Sequence, residues 1–204
     1  MTSFDFITLD VPDPAAAERF YAEAFDLGPR LRFRQADAPS TGFRGFTISL
    51  TVSQPANAVA YLDAALQAGA TSLKPATKSF WGFGGVVQAP DGAIWKVACS
   101  SKKNTTPAAR EFEQMVLLLG VADVAASKQF YVDHGLTVGK SFGRKYVEFE
   151  TSPLKLALYG RRALAKDAGV DVSGDGSHRV AVGSDTGPFT DPDGFPWETS
   201  VMAG

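Results

Sequence analysis

Side chains that could carry out acid–base or metal chemistry are scarce in this sequence. Its 204 residues include two histidines, His134 and His178, and one cysteine, Cys99. There is no Ser/His/Asp arrangement and no Gly-x-Gly-x-x-Gly motif, and no Lys-Ser or Lys-Thr follows the glycines at 82–85 as a phosphate-binding loop would require. We therefore expect neither nucleophilic nor nucleotide-dependent chemistry, and any metal site would have to combine His178 with carboxylates.

The composition is typical of a globular protein of one or two domains, with 45% hydrophobic and 21% charged residues. A net charge of −2 leaves no basic excess for phosphates, so we expect no nucleic-acid partner. The longest apolar stretch, residues 115–121, is too short to cross a bilayer, and we expect no membrane association. The start lacks the positive segment of a secretory signal, and Cys99 has no disulfide partner within the chain. We therefore expect a cytoplasmic protein.

Two blocks of the sequence occur twice in the same order. Residues 6–21 match residues 116–131 at a constant offset of 110, through Leu9, Val11, Asp13, Ala15, Ala16, Phe20 and Tyr21 and their counterparts. Residues 90–96 match residues 192–198 at an offset of 102, through Pro-Asp-Gly and a following tryptophan. The chain is therefore predicted to consist of two related halves, residues 1–101 and 114–204, joined by a linker at 102–113.

Each half is predicted to begin with an apolar strand and a short helix and to end with a hairpin. Asp13 and Asp123 precede the helices as N-caps. The Pro-Asp-Gly segments supply the hairpin turns, and their glycines can adopt a positive φ. Between the blocks the predicted elements are strands at 31–34 and 46–52, a helix at 56–68, strands at 146–150, 154–159 and 178–182, and a loop rich in Asp and Gly at 165–177.

This order of motifs resembles the vicinal oxygen chelate superfamily, which includes glyoxalase I, bleomycin-binding proteins and extradiol dioxygenases. The second half carries the resemblance best, through Phe130-Tyr131 and the segment Asp191-Pro-Asp-Gly-x-x-Trp-Glu198. The resemblance implies an α+β fold in which paired βαβββ units form sheets that wrap a ligand cup. Both halves are abbreviated relative to that pattern. The first lacks a strand pair between Arg34 and Phe46, and the second lacks a helix after Val182.

The resemblance also implies where a divalent metal would bind, at a first-strand, a middle-strand and a last-strand position. The first half has Phe6, Thr47 and Lys96 there, and the second half has Val116, His178 and Glu198. A protonated lysine repels a cation, so the first half is predicted to have no metal site. His178 and Glu198 are ligands of the expected kind but lack a third, unless Glu148 or Glu150 swings in. We expect no functional metal and no other cofactor.

Each of these residues also has an ordinary structural interpretation. His178 could be a half-buried strand residue, and Lys96 and Glu198 could face solvent. The aromatic segment 80–83 could pack in the core, although three aromatic rings in a glycine-rich segment cannot all fill one face. We interpret Trp81 and Phe83 as anchors at the rim of the cup.

Three functions remain open on this basis. The first is a metal-free, glyoxalase-like protein that binds a small aromatic or apolar molecule, with the candidate ligand-binding residues Phe6, Trp81, Phe83, Lys96, His178 and Glu198. The alternative is a metal-dependent lyase, isomerase or dioxygenase that uses His178 and Glu198. The third is an interaction module, in which strand edges exposed by the two abbreviations pair with a partner or form a homodimer.

Overall fold

The computed structural model describes residues 2–175 and 178–200. The strands are β1 (Thr2–Val11), β2 (Leu31–Gln35), β3 (Thr41–Gly42), β4 (Phe46–Thr51), β5 (Thr71–Ser79), β6 (Gly82–Gln88), β7 (Ile94–Cys99), β8 (Gln114–Val121), β9 (Val138–Phe142), β10 (Tyr146–Phe149), β11 (Thr151–Pro153), β12 (Lys155–Gly160), β13 (Gly174–Asp175), β14 (Val180–Ser184), β15 (Phe189–Thr190) and β16 (Pro196–Thr199). The α-helices are α1 (Pro14–Ala24), α2 (Pro55–Gln67), α3 (Val124–Asp133) and α4 (Arg161–Ala168). Within the described ranges, no helix is long and apolar enough to cross a membrane.

The two predicted N-caps are confirmed. The Asp13 carboxylate accepts a hydrogen bond from the backbone N–H of Ala16 at 3.0 Å and opens α1. The Asp123 carboxylate accepts from Ala125 and Ala126 and opens α3. Each side chain satisfies helical N–H groups that would otherwise lack a partner, which is why both helices begin at the repeated aspartate.

The large sheet has eight strands in the order β5-β6-β7-β4-β8-β12-β10-β9. Its first four strands and α2 form one complete βαβββ unit, and its last four strands and α3 form another. In each unit the first and last strands pair in parallel, β4 with β7 and β8 with β12. The antiparallel pairing of β4 with β8, which sets Ile48 opposite Leu117, joins the two units.

The small sheet is built from two abbreviated units. β1 pairs in parallel with β2, and β14 pairs in parallel with β16, which in turn pairs with β15. Between β2 and β4 the chain forms only the two-residue β3, and residues 185–195 contain no helix. Both predicted abbreviations are therefore present. The antiparallel pairing of β1 with β14 joins these two units, as β4 with β8 does in the large sheet.

The two halves of the chain share both sheets and one core. Each sheet takes one unit from residues 1–101 and one from residues 114–204. Buried side chains from the helix-facing side of both sheets, such as Ile7, Ile48 and Leu117, belong to a single hydrophobic cluster. The linker thus separates the halves in sequence, while the sheet pairing places them in one packed body.

A buried network ties α1 to the hairpin turn of the first half. Trp95 donates its Nε1–H to the Tyr21 hydroxyl at 3.2 Å, and Tyr21 donates to the Asp91 carboxylate at 2.8 Å. Arg44 lies against Asp91, and both side chains are only 7% exposed. Burial, reinforced by the nearby Asp91 charge, raises the pKa of Tyr21, so that its hydroxyl remains a protonated donor.

The second half contains the same kind of network, but its tyrosine donates to an aspartate two positions earlier than the repeat would place it. Trp197 donates to Tyr131 at 3.2 Å, and Tyr131 donates to Asp191 at 2.6 Å. In sequence, Asp91 corresponds to Asp193, which instead accepts from the Ser127 hydroxyl at 2.8 Å. Burial raises the pKa of Asp191, and the hydrogen bond from Tyr131 opposes that shift. The Phe-Tyr and Trp positions of the repeat therefore hold helix and hairpin together in both halves.

The segment 165–177 was predicted to be a loop, and this prediction is wrong for residues 165–168, which lie in α4, and for Gly174 and Asp175, which form β13. Leu164, Ala165 and Ala168 form a buried stripe at a helical spacing. The helix ends at Gly169, whose φ of 81° lies in the left-handed region. The helix was missed because its apolar stripe is short and the Asp- and Gly-rich residues after it dominate the composition of the segment. Gly176 and Ser177 lie outside the described residues.

The strand predicted at 178–182 begins two residues later. β14 starts at Val180, because Arg179 has a φ of 62°, which is incompatible with an extended strand. His178 therefore precedes the sheet. The helix predicted at 56–68 is found at Pro55–Gln67, and the four other strands predicted between the blocks are found within one residue of the expected bounds.

Candidate functional site

Side chains of the large sheet alternate between two faces. One face packs on the main core with helices α1–α3, and we call the opposite face the outer face. Trp95, Val97 and Cys99 of β7 lie in the main core. Lys96 therefore projects from the outer face, where its strand neighbours continue across β4, β8 and β12 as Ser49, Val116 and Lys155. This row passes through the first- and last-strand positions at which the family resemblance placed a metal.

Helix α4 covers one part of the outer face. Leu164, Ala165 and Ala168 form a second hydrophobic cluster with Val86 and Ile94 of β6 and β7, separate from the main core. Beneath the start of the helix lies Gly120 of β8, where an added Cβ would approach Leu164 to 3.2 Å. The close approach of α4 to the sheet thus depends on the absence of a side chain at this position.

The carboxyl-terminal end of α4 is held by two lysines. The Lys96 ammonium forms an ion pair with the Asp167 carboxylate at 2.8 Å. The Lys74 ammonium, from β5, donates to the backbone carbonyls of Lys166 at 3.0 Å and Asp167 at 2.5 Å. The Lys166 carbonyl also accepts from the backbone N–H of Gly169 at 3.2 Å, and Lys74 adds a positive charge as a cap at the negative end of the helix.

Beyond α4 the outer face remains open as a cleft of about 310 Å³. Gly84 and Ala98, which face each other across β6 and β7, lie between its two ends. Trp81, 83% exposed at the tip of the β5–β6 hairpin, borders the cleft, as do Lys96 and Asp167. The structure therefore brings three of the predicted ligand-binding residues, Trp81, Phe83 and Lys96, to the border of one open space.

Phe83 also borders this cleft, but its ring packs partly against the main core. It pairs with Cys99, a core residue. Its side chain borders a different hollow of 660 Å³, which also contacts Val59 of α2. Because Phe83 pairs with Cys99 and successive strand residues point to opposite faces, the ring of Phe83 points away from the Lys96 side chain.

Phe6 and Glu198 lie on the small sheet, on the face turned away from the core. Phe6 is buried beneath the Arg32 guanidinium, which lies 3.4 Å from the ring centroid, and beside Gly183. Thr8 donates to the Glu198 carboxylate at 3.3 Å. Phe6 therefore packs within its own sheet and makes no contribution to the cleft at Trp81.

Arg34 of β2 neutralises Glu198. Its guanidinium is paired with the Asp10 carboxylate at 2.7 Å and with the Glu198 carboxylate at 2.5 Å. The hydrogen bond from Arg34 to Asp10 is the largest of the effects that raise the pKa of Arg34 above its ordinary value. The Glu198 carboxylate is thus already paired with a cation of the protein itself.

His178 lies at the turn end of the small sheet, away from Glu198. Its Nδ1 is 2.7 Å from the backbone carbonyl of Arg44, and its Nε2 is 2.6 Å from that of Asp193. Glu198 is five residues beyond Asp193 and pairs with Gly183, itself five residues beyond His178. His178 thus contacts backbone at the turn end, whereas Glu198 lies within β16 beside Thr8 and Arg34, so the two candidate ligands have different neighbours.

The residues at the expected metal positions do not fit a divalent cation. Both ring nitrogens of His178 lie within hydrogen-bonding distance of backbone carbonyls, so a metal ion would have to displace one of these contacts, and Glu198 is already paired with Arg34. Glu148, one of the two carboxylates considered as a third ligand, accepts from the Tyr146 hydroxyl. Across residues 2–175 and 178–200, no three His, Cys, Asp or Glu side chains form a cluster that could hold a metal ion.

We expect the purified protein to take up no stoichiometric metal when it is incubated with Zn²⁺, Ni²⁺, Mn²⁺ or Fe²⁺ and then desalted. The measurement is elemental mass spectrometry of the wild type and of His178→Ala. A chelator-removable ion at one equivalent that disappears in His178→Ala would contradict this expectation and support the metal-dependent alternative.

Sequence reasoning missed three residues that shape these faces. Arg34 alternates with Phe33 along β2, and this spacing could have identified it as an outward-facing residue. Lys74 lies on an edge strand with irregular pairing, and Asp167 lies in α4, which was not predicted. No local pattern indicates that these two residues meet, because 93 positions separate them in the chain.

The fold is similar to that of solved glyoxalase structures. No protein-family model matches the sequence, and no curated protein matches it. Glyoxalase I from Zea mays matches with a TM-score of 0.61 and 15% sequence identity, over 97% of this chain and 91% of that one. A candidate dioxygenase from Bacillus subtilis matches with a TM-score of 0.53 and 14% identity, over 89% of this chain and 69% of that one.

At these identities the likeness concerns the fold and carries no residue roles. It extends over nearly the whole chain and includes both the complete and the abbreviated units. The chain therefore has the glyoxalase I fold, as its resemblance to the vicinal oxygen chelate superfamily predicted.

Proposed function

We propose that this protein binds a small aromatic molecule, without a metal ion, in the cleft between Trp81 and Lys96. The observation that carries the proposal is that α4 fills one part of the outer face and leaves a bordered cleft beside it. Trp81 lies at the open end of the cleft, and Lys96 lies at the end beside α4, which we call the inner end. The small residues Gly84 and Ala98 lie between them. This arrangement could bind and orient a ligand, and it includes no nucleophile activated by a base.

The dimensions and composition of the cleft support a small, flat ligand. Its volume of about 310 Å³ lies at the lower end of the range for small-molecule sites, which begins at about 300 Å³. Gly84 and Ala98 have no side chain beyond Cβ, so a planar group could lie directly on the sheet. The indole of Trp81 is available to stack on such a group, and aromatic pairs contribute about 0.5–1.5 kcal/mol beyond their buried area.

The chain offers a direct reporter for this site. Of its three tryptophans, Trp95 and Trp197 are buried, while Trp81 is exposed. A nitroaromatic ligand in the cleft would therefore quench mainly Trp81. We further propose that binding takes place in the cytoplasm, since Cys99 is the only cysteine and has no disulfide partner within the chain.

We expect p-nitrobenzamide, a neutral planar probe, to quench the fluorescence of the wild type with a saturable dependence on concentration. Ala98→Leu adds a branched side chain to the surface of the cleft while leaving the main core untouched, and we expect it to weaken binding by roughly tenfold. Isothermal titration calorimetry provides the affinity, and fluorescence quenching reports whether Trp81 is at the site.

Val59→Leu is the matched control, since it places a similar side chain in the hollow on the opposite face of the sheet. It should bind the probe as the wild type does. If Ala98→Leu binds the probe as tightly as the wild type, or if Val59→Leu is the variant that loses binding, the proposed cleft is wrong.

A further inference from the structure

We propose that the ligand of the cleft carries a carboxylate, and that this carboxylate takes the place of Asp167 on the Lys96 ammonium. The inference rests on the proposed function and adds the charge of the ligand and the group it displaces. It begins from the contacts at the end of α4, where an internal carboxylate already occupies the cationic end of the cleft.

Two ammonium groups meet at the inner end of the cleft. Lys96 projects from β7 and Lys74 from β5, and both border the open space. Asp167 is the only acidic residue among the side chains that line it. The inner end is therefore basic apart from a single carboxylate, which favours an anionic ligand and opposes a cationic one.

The Asp167 carboxylate can move away from the Lys96 ammonium without displacing α4. Its side chain is 45% exposed and that of Lys96 is 36% exposed. An ion pair this exposed contributes little to folding, because water and salt screen it and two flexible side chains must be ordered. Asp167 could rotate into solvent while α4 remains docked, since the helix is held on the sheet by Leu164 and its neighbours and its end by Lys74.

The rest of the cleft matches an aromatic body attached to that carboxylate. Ala98, two residues along β7 from Lys96, lies on the same face with Gly84 beside it. Val86, directly beside Lys96, is buried under α4, so the small apolar surface open to a ligand is that of Gly84 and Ala98. A ligand with its acid at Lys96 would thus extend its ring over a small, uncharged surface toward the hairpin that carries Trp81.

The test uses isothermal titration calorimetry to compare the affinities of p-nitrobenzoate and p-nitrobenzamide. These two probes have similar shapes but differ in charge. In the wild type we expect the acid to bind roughly tenfold more tightly than the amide, because a hydrogen bond to a charged group is stronger than one between neutral groups. Asp167→Asn removes the internal competitor, and we expect it to strengthen acid binding by up to roughly fivefold with the amide unchanged.

Lys96→Gln should remove the preference for the acid while the amide still binds. Asp63→Asn is the matched control, because Asp63 is a carboxylate of α2 that borders the hollow on the opposite face. It should leave both affinities at the wild-type values.

The outcomes separate this inference from the proposed function. If both probes bind equally in every protein, the cleft is a binding site but the proposed carboxylate preference is wrong. If the acid is preferred and Asp167→Asn leaves its affinity unchanged, displacement of Asp167 is wrong. If neither probe binds, the proposed function fails and the inference fails with it.

Discussion

Replacement of Asp91 by alanine should lower the free energy of unfolding by about 3–5 kcal/mol. Asp91 lies in the hairpin turn of the first half, where it accepts a hydrogen bond from Tyr21 and lies against Arg44. Arg44 also donates to the backbone carbonyl of Asp91. Removal of the carboxylate therefore affects α1, the hairpin and the segment before β4 together.

The size of the effect follows from the burial of both charges. The side chains of Arg44 and Asp91 are each 7% exposed, so the alanine variant would leave a guanidinium without its counter-ion in a poorly hydrated place. Burial already lowers the pKa of Arg44, and the nearby Asp91 carboxylate opposes that shift. Tyr21 would also lose its acceptor, which adds the cost of an unsatisfied buried hydroxyl.

Urea denaturation at neutral pH, followed by circular dichroism, measures this loss. Asp91→Asn separates the two contributions, because its amide oxygen can still accept from Tyr21 while the negative charge is gone, and we expect a smaller loss. Asp63→Ala, a change at a surface carboxylate, should cost less than about 0.5 kcal/mol. A loss below about 1 kcal/mol in Asp91→Ala would show that the pair does not stabilise the junction.

Replacement of Leu164 by alanine should lower the free energy of unfolding by about 2–4 kcal/mol and loosen α4. Leu164 is 1% exposed and lies in the cluster that joins α4 to the outer face of the large sheet. The cluster is small and separate from the main core. Loss of its largest helical side chain therefore removes much of what holds the helix in place.

Hydrogen exchange provides the specific readout. Amide protons of residues 164–169 should exchange faster in Leu164→Ala, while those of β7 and β8 beneath the helix keep their protection relative to global stability. Leu66→Ala is the matched control, since Leu66 is a helical leucine of α2 that is 40% exposed and should cost less than about 1 kcal/mol. Unchanged exchange across α4 would contradict the assignment of Leu164 as its main anchor.

Both sheets carry basic residues on the faces where the family resemblance predicted metal ligands. On the large sheet Lys96 and Lys155 lie in the row across the central strands, and on the small sheet Arg34 is paired with Glu198. A cation held by the protein itself can bind an anionic group of a ligand without a metal ion. This arrangement motivates the proposal of a binding protein with a preference for acids.

The repeated blocks determined much of the fold on their own. The N-cap aspartates and the Pro-Asp-Gly turns act through contacts within a few residues, so their spacing predicted the helix starts and hairpins that they form. The two abbreviations could also be read from the sequence, because too few residues separate the flanking elements. The edge strands β5 and β9 could not, since their side chains are largely exposed and lack apolar alternation.

The candidate site was decided by the tertiary structure. Trp81 and Lys96 were identified from the sequence, but Asp167, the partner of Lys96, comes from a helix that was not predicted. Arg34 reaches Glu198 only because β2 pairs with β1. His178 and Glu198 looked like a ligand pair by type, and a positive φ at Arg179 helps to hold the histidine outside the strand. Residue types and local spacing specify the elements, whereas the meeting of side chains more than 70 positions apart depends on how the sheets pair and pack.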